Sequence, residues 1–147
     1  MTIENVTEEI SVKLAAVVAD HLVFLEDLDV SKKANMYQMD LRSAQLSDLN
    51  LSKSSHRNVD CAGATLTNND YSDADLFGTD MINCIVTGCN FTKANLDKVN
   101  AHGSVFKDCN FTDAILTRTM LDETKFLGCT MTGADLTDAY QKNTVIE

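Results

Sequence analysis

The chain contains no proline and no tryptophan, and aromatic residues make up only 6 % of its 147 residues. Any core must therefore be built mainly from small and medium-sized side chains. The most apolar run, residues 14–25, is interrupted by Asp20 and His21, and no basic segment followed by an apolar one opens the chain. We therefore expect neither a membrane span nor a signal peptide, and a cytoplasmic location.

Positive charge is also scarce, with 12 lysines and arginines against 22 aspartates and glutamates, a formal net charge of -10. Direct binding to nucleic acid or to an anionic membrane requires a basic surface, so both are disfavoured. An acidic surface suits solubility or a partner with a basic groove.

The five cysteines form no C-x-x-C pair, which argues against a zinc site. No Ser/His/Asp, Cys/His or paired-carboxylate arrangement suggests a catalytic centre. We therefore expect a reduced, non-enzymatic chain without metal or cofactor.

The first 33 residues predict an α-helix from about Val6 to Asp27, capped by Asn5. One wide apolar face is expected on this helix, formed by Ile10, Leu14, Val17, His21, Phe24 and Leu28 and widened by Ala15, Val18, Leu22 and Leu25. Two interpretations of that face are open: it covers the first part of the domain that follows, or it docks onto a partner or a second copy. A polar link at Ser31–Lys33 should follow.

From Met36 to Gln141, every fifth residue is large and apolar with few exceptions, and the register never slips. A mostly small residue stands two positions earlier, and the position between them is usually polar. A period of five fits neither an α-helix nor a simple strand, so each unit must contain its own corner. All six glycines lie two residues after the large one, where a type II turn needs positive φ: Gly63, Gly78, Gly88, Gly103, Gly128 and Gly133.

Several units read small residue, Asp or Asn, then Leu or Phe, as in Ala74-Asp75-Leu76, Ala94-Asn95-Leu96, Cys109-Asn110-Phe111 and Ala134-Asp135-Leu136. This pattern resembles the pentapeptide-repeat family over about three quarters of the chain. The resemblance implies a right-handed quadrilateral β-helix with four units per coil, so that the 22 units give about 5.5 coils. The predicted organisation is a helical cap and linker (1–33), the β-helix (34–141) and a C-terminal tail (142–147).

Twenty residues per coil place positions twenty apart in one column. Two inward columns contain aromatic residues and are interpreted as core, and a third contains Cys89, Cys109 and Cys129, interpreted as a reduced internal ladder. His56 and Asn69 break the inward pattern. For His56 we expect a hydrogen-bonded pair with Ser54 or a local bulge.

The outward columns suggest one interaction surface. Asp40, Asp60 and Asp80 should form an acidic line that becomes apolar toward Met120 and Tyr140. Phe77 and Ile82 also fall at outward positions and could form a contact patch beside it. A solvated face without a partner is the alternative.

The sequence favours a non-enzymatic rigid scaffold that binds an unidentified protein through its acidic faces. The alternative is a DNA-mimicking protein that interacts with gyrase, as the resemblance to quinolone-resistance pentapeptide proteins allows. Failure of the purified protein both to relieve quinolone inhibition of gyrase and to inhibit gyrase would exclude that alternative. The resemblance and the uncovered last coil also predict a homodimer through the C-terminal coil.

Overall fold

The computed structural model describes residues 1–27 and 33–147. Leu28 and Ser31, assigned above to the helix face and the link, lie outside the described residues. One helix and seven short strands follow in chain order: β1 (Thr2–Glu4), α1 (Glu8–Asp27), β2 (Gln45–Ser47), β3 (Thr65–Thr67), β4 (Ile85–Thr87), β5 (Val105–Lys107), β6 (Lys125–Leu127) and β7 (Val145–Ile146). The strands form one sheet in the same order, with β1 antiparallel to β2 and the others parallel.

Neighbouring coils are in register at a spacing of twenty residues. Gln45 pairs with Thr65 on the face that carries the strands, and Asp40 pairs with Asp60 on another face. The connecting hydrogen bonds run between coils, for example from Leu41 N to Asp60 O at 2.7 Å and from Asp60 N to Met39 O at 3.1 Å. The chain is a right-handed quadrilateral β-helix of about five turns, which confirms the predicted fold.

The inward columns fill the interior of the solenoid. The rings of Tyr71 and Phe91 stack at 5.2 Å and those of Phe91 and Phe111 at 4.9 Å, and a second ladder brings Phe106 to 5.1 Å from Phe126. All five rings are 3 % exposed or less. The aromatic columns are therefore core, as expected, and their stacking adds to the apolar area they bury.

Helix α1 begins at Glu8, two residues later than predicted, and its cap is Thr7 rather than Asn5. The Thr7 hydroxyl accepts a hydrogen bond from Ile10 N at 3.3 Å, and Thr7 O accepts from Ser11 N. Asn5 instead has a φ of 59°, in the left-handed region, and turns the chain from β1 toward the helix. The prediction failed because both residues are good caps and the sequence alone did not reveal strand β1.

The helix covers the first coil, which confirms the capping interpretation of its predicted face. Four helix residues are buried: Leu14, Val18, His21 and Phe24. Leu14 and Val18 belong to the same core as the large inward residues of the first coil. The prediction for Leu22 was wrong: it was expected to widen this buried face, but 47 % of the residue is exposed. It follows His21 by 100° of helix rotation and so lies beyond the edge of the buried stripe.

Both ends of the solenoid extend further than the sequence indicated. At the N-terminus, β1 pairs with β2 through Ile3 and Leu46, which the pattern did not predict. At the C-terminus, residues 142–147 were predicted to be a tail, but Val145–Ile146 forms the last strand, with Val145 N donating to Thr124 O at 2.9 Å. The boundary at 33–34 stays a prediction.

The corner of each unit is a residue with positive φ. On three of the four faces, the carbonyl of the large inward residue mostly accepts a hydrogen bond from the amide three residues later, as between Met39 N and Met36 O at 2.9 Å, which is type II turn geometry. After strands β2 to β6 this bond is absent. Glycine fills six corners, and other residues such as Asn58, with φ 53°, adopt the same conformation. At Gly78 a second reason applies, because an added Cβ would lie 2.6 Å from Oδ1 of Asn58 in the coil below.

We expect Gly78→Ala to lower the free energy of unfolding by about 1–3 kcal/mol, measured by urea denaturation. The loss combines the positive φ of 66° with the clash against Asn58. In an Asn58→Gly background the clash is absent, so the same substitution should cost about 1 kcal/mol, for the backbone conformation alone. An equal loss in both backgrounds would show that the contact between columns is unimportant.

Candidate interaction surface

The three predicted aspartates lie in one outward line. Asp40 pairs with Asp60 and Asp60 with Asp80, and the line continues through Asn100 and Met120 to Tyr140. Met120 is 50 % exposed and Tyr140 57 % exposed, so the face changes from acidic to apolar along the solenoid, as the sequence predicted.

Each of these aspartates also holds its own corner. Oδ1 of Asp40, Asp60 and Asp80 accepts a hydrogen bond from the amide two residues later, at 3.2, 3.1 and 3.0 Å. Asn100 makes the same bond to His102 N at 3.3 Å. Asparagine therefore serves the turn as well as aspartate does, so the turn does not require the negative charge in this column.

Arg42 neutralises part of the acidic line. Its guanidinium donates to both carboxylate oxygens of Asp40, at 2.9 and 2.6 Å, and lies 3.6 Å from Asp60 Oδ2. The hydrogen bond from Arg42 lowers the pKa of Asp40 to about 2. Of the three aspartates, Asp80 is the one without an arginine beside it among the ion pairs of the described residues.

Phe77 and Ile82 are half-buried rather than freely exposed. The Phe77 ring lies between two cations, with Arg57 Cζ at 4.5 Å and Lys98 Nζ at 5.4 Å from its centroid. Arg57 is also paired with Asp75, at 2.8 Å. Phe77 thus packs in a cation–π cluster at the corner, where charges of both signs surround it.

A second ion pair on this corner was not foreseen. Asp97, directly above Phe77, accepts hydrogen bonds from Thr117 Oγ1 at 2.8 Å and from Arg118 Nε at 2.9 Å. The hydrogen bond from Arg118 holds the pKa of Asp97 below its usual range. The sequence could have predicted the Asp97–Thr117 pair, because residues twenty apart lie in one column.

The buried histidines are neutral and hydrogen-bonded. Ala34 N donates to Nδ1 of His21 at 3.0 Å, so Nε2 carries the proton and donates to Ser52 O at 2.8 Å. His56 Nε2 lies 2.6 Å from the Ser54 hydroxyl, which confirms the predicted pair without a bulge. Burial lowers the pKa of both, that of His56 to about 3.

The Asn69 side chain bridges a corner of the preceding coil in which the backbone amide and carbonyl do not bond each other. Its Oδ1 accepts from Leu49 N at 2.9 Å, and its Nδ2 donates to Leu46 O at 3.1 Å. On the other faces the equivalent amide and carbonyl mostly bond each other directly, as Ala44 N and Leu41 O do, whereas the corners that follow strands β2 to β6 lack this bond. The polar residue in this inward column is therefore explained by the backbone groups it satisfies.

All five cysteines are free, and those in the Asn69 column donate to the same kind of carbonyl. Cys89 Sγ lies 3.6 Å from Leu66 O and Cys109 Sγ 3.6 Å from Val86 O. Burial raises the pKa of Cys89 to about 11 and that of Cys84 to about 12, so these thiols are unreactive.

Within residues 1–27 and 33–147, no group of three or more His, Cys, Asp or Glu side chains is arranged to hold a metal ion. Over the same ranges, no helix is both long enough and apolar enough to cross a bilayer.

The solenoid and its repeated corner define a class of non-globular repeat protein, and comparison with known families identifies it further. A model described as pentapeptide repeats (8 copies) matches residues 44–81, and one described as a pentapeptide repeat region matches residues 79–147. The chain belongs to the pentapeptide repeat family. No curated protein sequence matches it significantly.

Solved structures show the same fold. The pentapeptide repeat protein Rfr23 from the cyanobacterium Cyanothece aligns with a TM-score of 0.72 at 17 % identity, covering 88 % of this chain and 99 % of Rfr23. HetL from Nostoc aligns with a TM-score of 0.53 at 18 % identity, covering 74 % of this chain and 62 % of HetL. A pentapeptide repeat protein of the Arabidopsis thaliana thylakoid lumen gives 0.50 at 28 % identity, covering 71 % and 66 %.

Because both buried histidines have lowered pKa values, we expect acid to destabilise the fold. The unfolded chain, with a histidine pKa near 6.5, binds more protons than the folded chain as pH falls below that value. Between pH 7 and 5 the free energy of unfolding should fall by about 2 kcal/mol for His56 alone, measured by urea denaturation.

The matched variant is Ser54→Ala/His56→Leu, which copies Ala74 and Leu76 from the next coil. It should fold and lose the part of the pH dependence that belongs to His56, about 2 kcal/mol, while the part that belongs to His21 remains. An unchanged dependence would show that His56 is not the titrating group.

Proposed function

We propose that the chain is a non-enzymatic cytoplasmic scaffold whose outer surface binds another protein. The filled interior supports this most directly. Ladder side chains such as Phe91 and Leu96 are 1 % exposed or less, and the histidines and thiols among them are occupied by backbone or neighbouring groups. The groups available to a ligand are therefore outward ones. Five free cysteines suit the reducing cytoplasm.

The proposed binding surface consists of Asp40, Asp60, Asp80, Phe77 and Ile82, and we refer to it as the acidic corner. Phe77 and Ile82 stand on either side of Asp80 in the chain, so apolar area adjoins the charge. Aspartate where asparagine would hold the turn supports a role for the charge itself. A partner segment carrying lysine or arginine next to an apolar side chain fits this surface.

We expect Asp60→Asn/Asp80→Asn to abolish capture of that partner from a cell extract while leaving stability unchanged. The amide oxygen keeps the hydrogen bonds to Ala62 N and Ile82 N, as at Asn100, so only the charge is removed. Proteins retained by the immobilised chain are quantified by mass spectrometry, and stability is checked by thermal unfolding.

The matched control is Asp70→Asn/Asp135→Asn, which changes two carboxylates with the same turn-holding role on other faces. It should retain the partner. If both double variants retain the same proteins as the unaltered chain, the acidic corner is only a solvated face.

The alternative, a gyrase-interacting DNA mimic, has less support. Such a mimic needs an uninterrupted line of negative charge, whereas Arg42 lies across Asp40 and Asp60, and Arg57 and Lys98 flank Phe77. The acidity of the chain is the remaining argument for it.

We also propose that two chains associate through the C-terminal coil. Met131, Leu136 and Ala139 occupy inward positions there but are only partly buried, because they belong to the last coil of the described residues. Strand β7 ends the sheet with one edge unpaired, and Ile146 is 49 % exposed. A second copy meeting this end would cover both the apolar side chains and the open edge.

Sedimentation velocity at high protein concentration should therefore show a dimer. Ile146 is the exposed last member of the inward column that contains Phe106 and Phe126, so Ile146→Lys places a charge at the uncovered end of that column and should shift the chain to monomer. Lysine at Val105, on the same face but in the middle of the sheet, is the control and should leave the dimer intact. A monomer at every concentration would contradict the proposal.

A further inference from the structure

Helix α1 has a second apolar face that nothing in the described residues covers. Val12, Ala16, Ala19 and Val23 lie at helical spacing on one stripe, and all four are exposed, Val12 by 66 % and Val23 by 41 %. At 100° per residue this stripe is opposite His21, which is fully buried against the first coil. Leu22, 47 % exposed, adjoins it.

A helix with apolar stripes on two opposite sides is normally covered on both. In α1 one apolar face packs on the solenoid and the opposite one meets solvent. The capping role accounts only for the first. We call the second, formed by Val12, Ala16, Ala19, Leu22 and Val23, the outer face of α1.

Carboxylates stand at both ends of the outer face. Glu8 and Glu9 occupy its first turn, Glu26 and Asp27 its last turn, and all four are exposed. The first pair suits the positive end of the helix dipole. Glu26 and Asp27 are placed against the negative end, and the last turn contains no basic residue to compensate. That arrangement is locally unfavourable, and a bound cation would relieve it.

We propose that the outer face of α1 binds an amphipathic helix of a partner protein that carries lysine or arginine at both ends of its apolar stripe. Glu8 and Glu26 are eighteen residues apart, or about 27 Å along the helix, so the two basic groups should have a similar separation. The alanines in the middle allow the helices to approach closely, and the valines pack at either side. This surface is separate from the acidic corner, so the two proposals can fail independently.

The charge pattern argues against the other occupants. A second copy of α1 would place carboxylates against carboxylates in both the parallel and the antiparallel orientation. An anionic membrane would be repelled by the same four residues. A basic-ended helix is the occupant that matches both the apolar stripe and the charge of its ends.

The test uses the full chain and a fluorescent synthetic peptide of about 20 residues, with leucines at the stripe spacing and two lysines at each end. We expect saturable binding in fluorescence anisotropy, weakened by salt. Glu26→Lys/Asp27→Lys should weaken it at least about tenfold. Because these lysines improve the helix end electrostatically, unfolding of α1 would not explain the loss.

Two further measurements separate charge from apolar contact. A peptide with glutamates in place of the lysines should bind the Glu26→Lys/Asp27→Lys variant better than the unaltered chain. Ala16→Glu/Ala19→Glu, which keeps good helix formers at exposed positions, should abolish binding of the lysine peptide. The control variant Asp73→Lys/Asp113→Lys makes the same charge change on a corner column that already contains Lys53 and Lys93, and it should bind normally.

The proposal is overturned if the lysine peptide does not bind the unaltered chain. It is also overturned if Glu26→Lys/Asp27→Lys binds as tightly as the control variant, since the charges at the helix end would then be irrelevant. Self-association that Ala16→Glu/Ala19→Glu removes, without peptide binding, would assign the outer face to a second copy instead.

Discussion

Hydrogen bonds between neighbouring coils hold the solenoid together, and they form only when each coil contains twenty residues. An amide such as Leu41 N reaches Asp60 O in the next coil, and Asp60 N reaches back to Met39 O. One inserted residue would move every later side chain to the wrong column. The strict period of the sequence is therefore a requirement of backbone pairing as well as of core packing.

The same constraint determines the use of polar residues inside the solenoid. A corner needs its carbonyl and amide satisfied, and most corners do this through the type II turn. After strand β2 the side chain of Asn69 takes over that role, and in the next coils thiols such as Cys89 approach the same carbonyls. Inward polar residues thus satisfy corner backbone groups, in place of the turn bond at Asn69 and in addition to it at Thr79 and Thr124, and their presence does not indicate chemistry.

The fold could be predicted because the signal was repeated in every unit, so that local exceptions such as His56 did not obscure it. Features that occur once were harder to predict. Strand β1 and the cap at Thr7 depend on how the N-terminus returns to the first coil, which no repeat encodes. The final strand was not predicted because the pattern was ended at the polar Gln141, although the apolar Ile146 continues it five residues later. The Arg118–Asp97 pair was missed because the twenty-residue spacing predicts which residues share a column but not where a long side chain such as that of Arg118 reaches.

The acidic corner and the outer face of α1 both lie toward the N-terminal end of the solenoid. The beginning of α1, including Thr7 and Ile10, lines one cleft together with Asp40 and Arg42 of the first coil. In that cleft Arg42 pairs with Asp40 and Asp60, and no residue of the outer face of α1 lines it. A basic partner on the acidic corner would compete with Arg42 for Asp40 and Asp60, whereas a helix on the outer face of α1 would leave that pair intact.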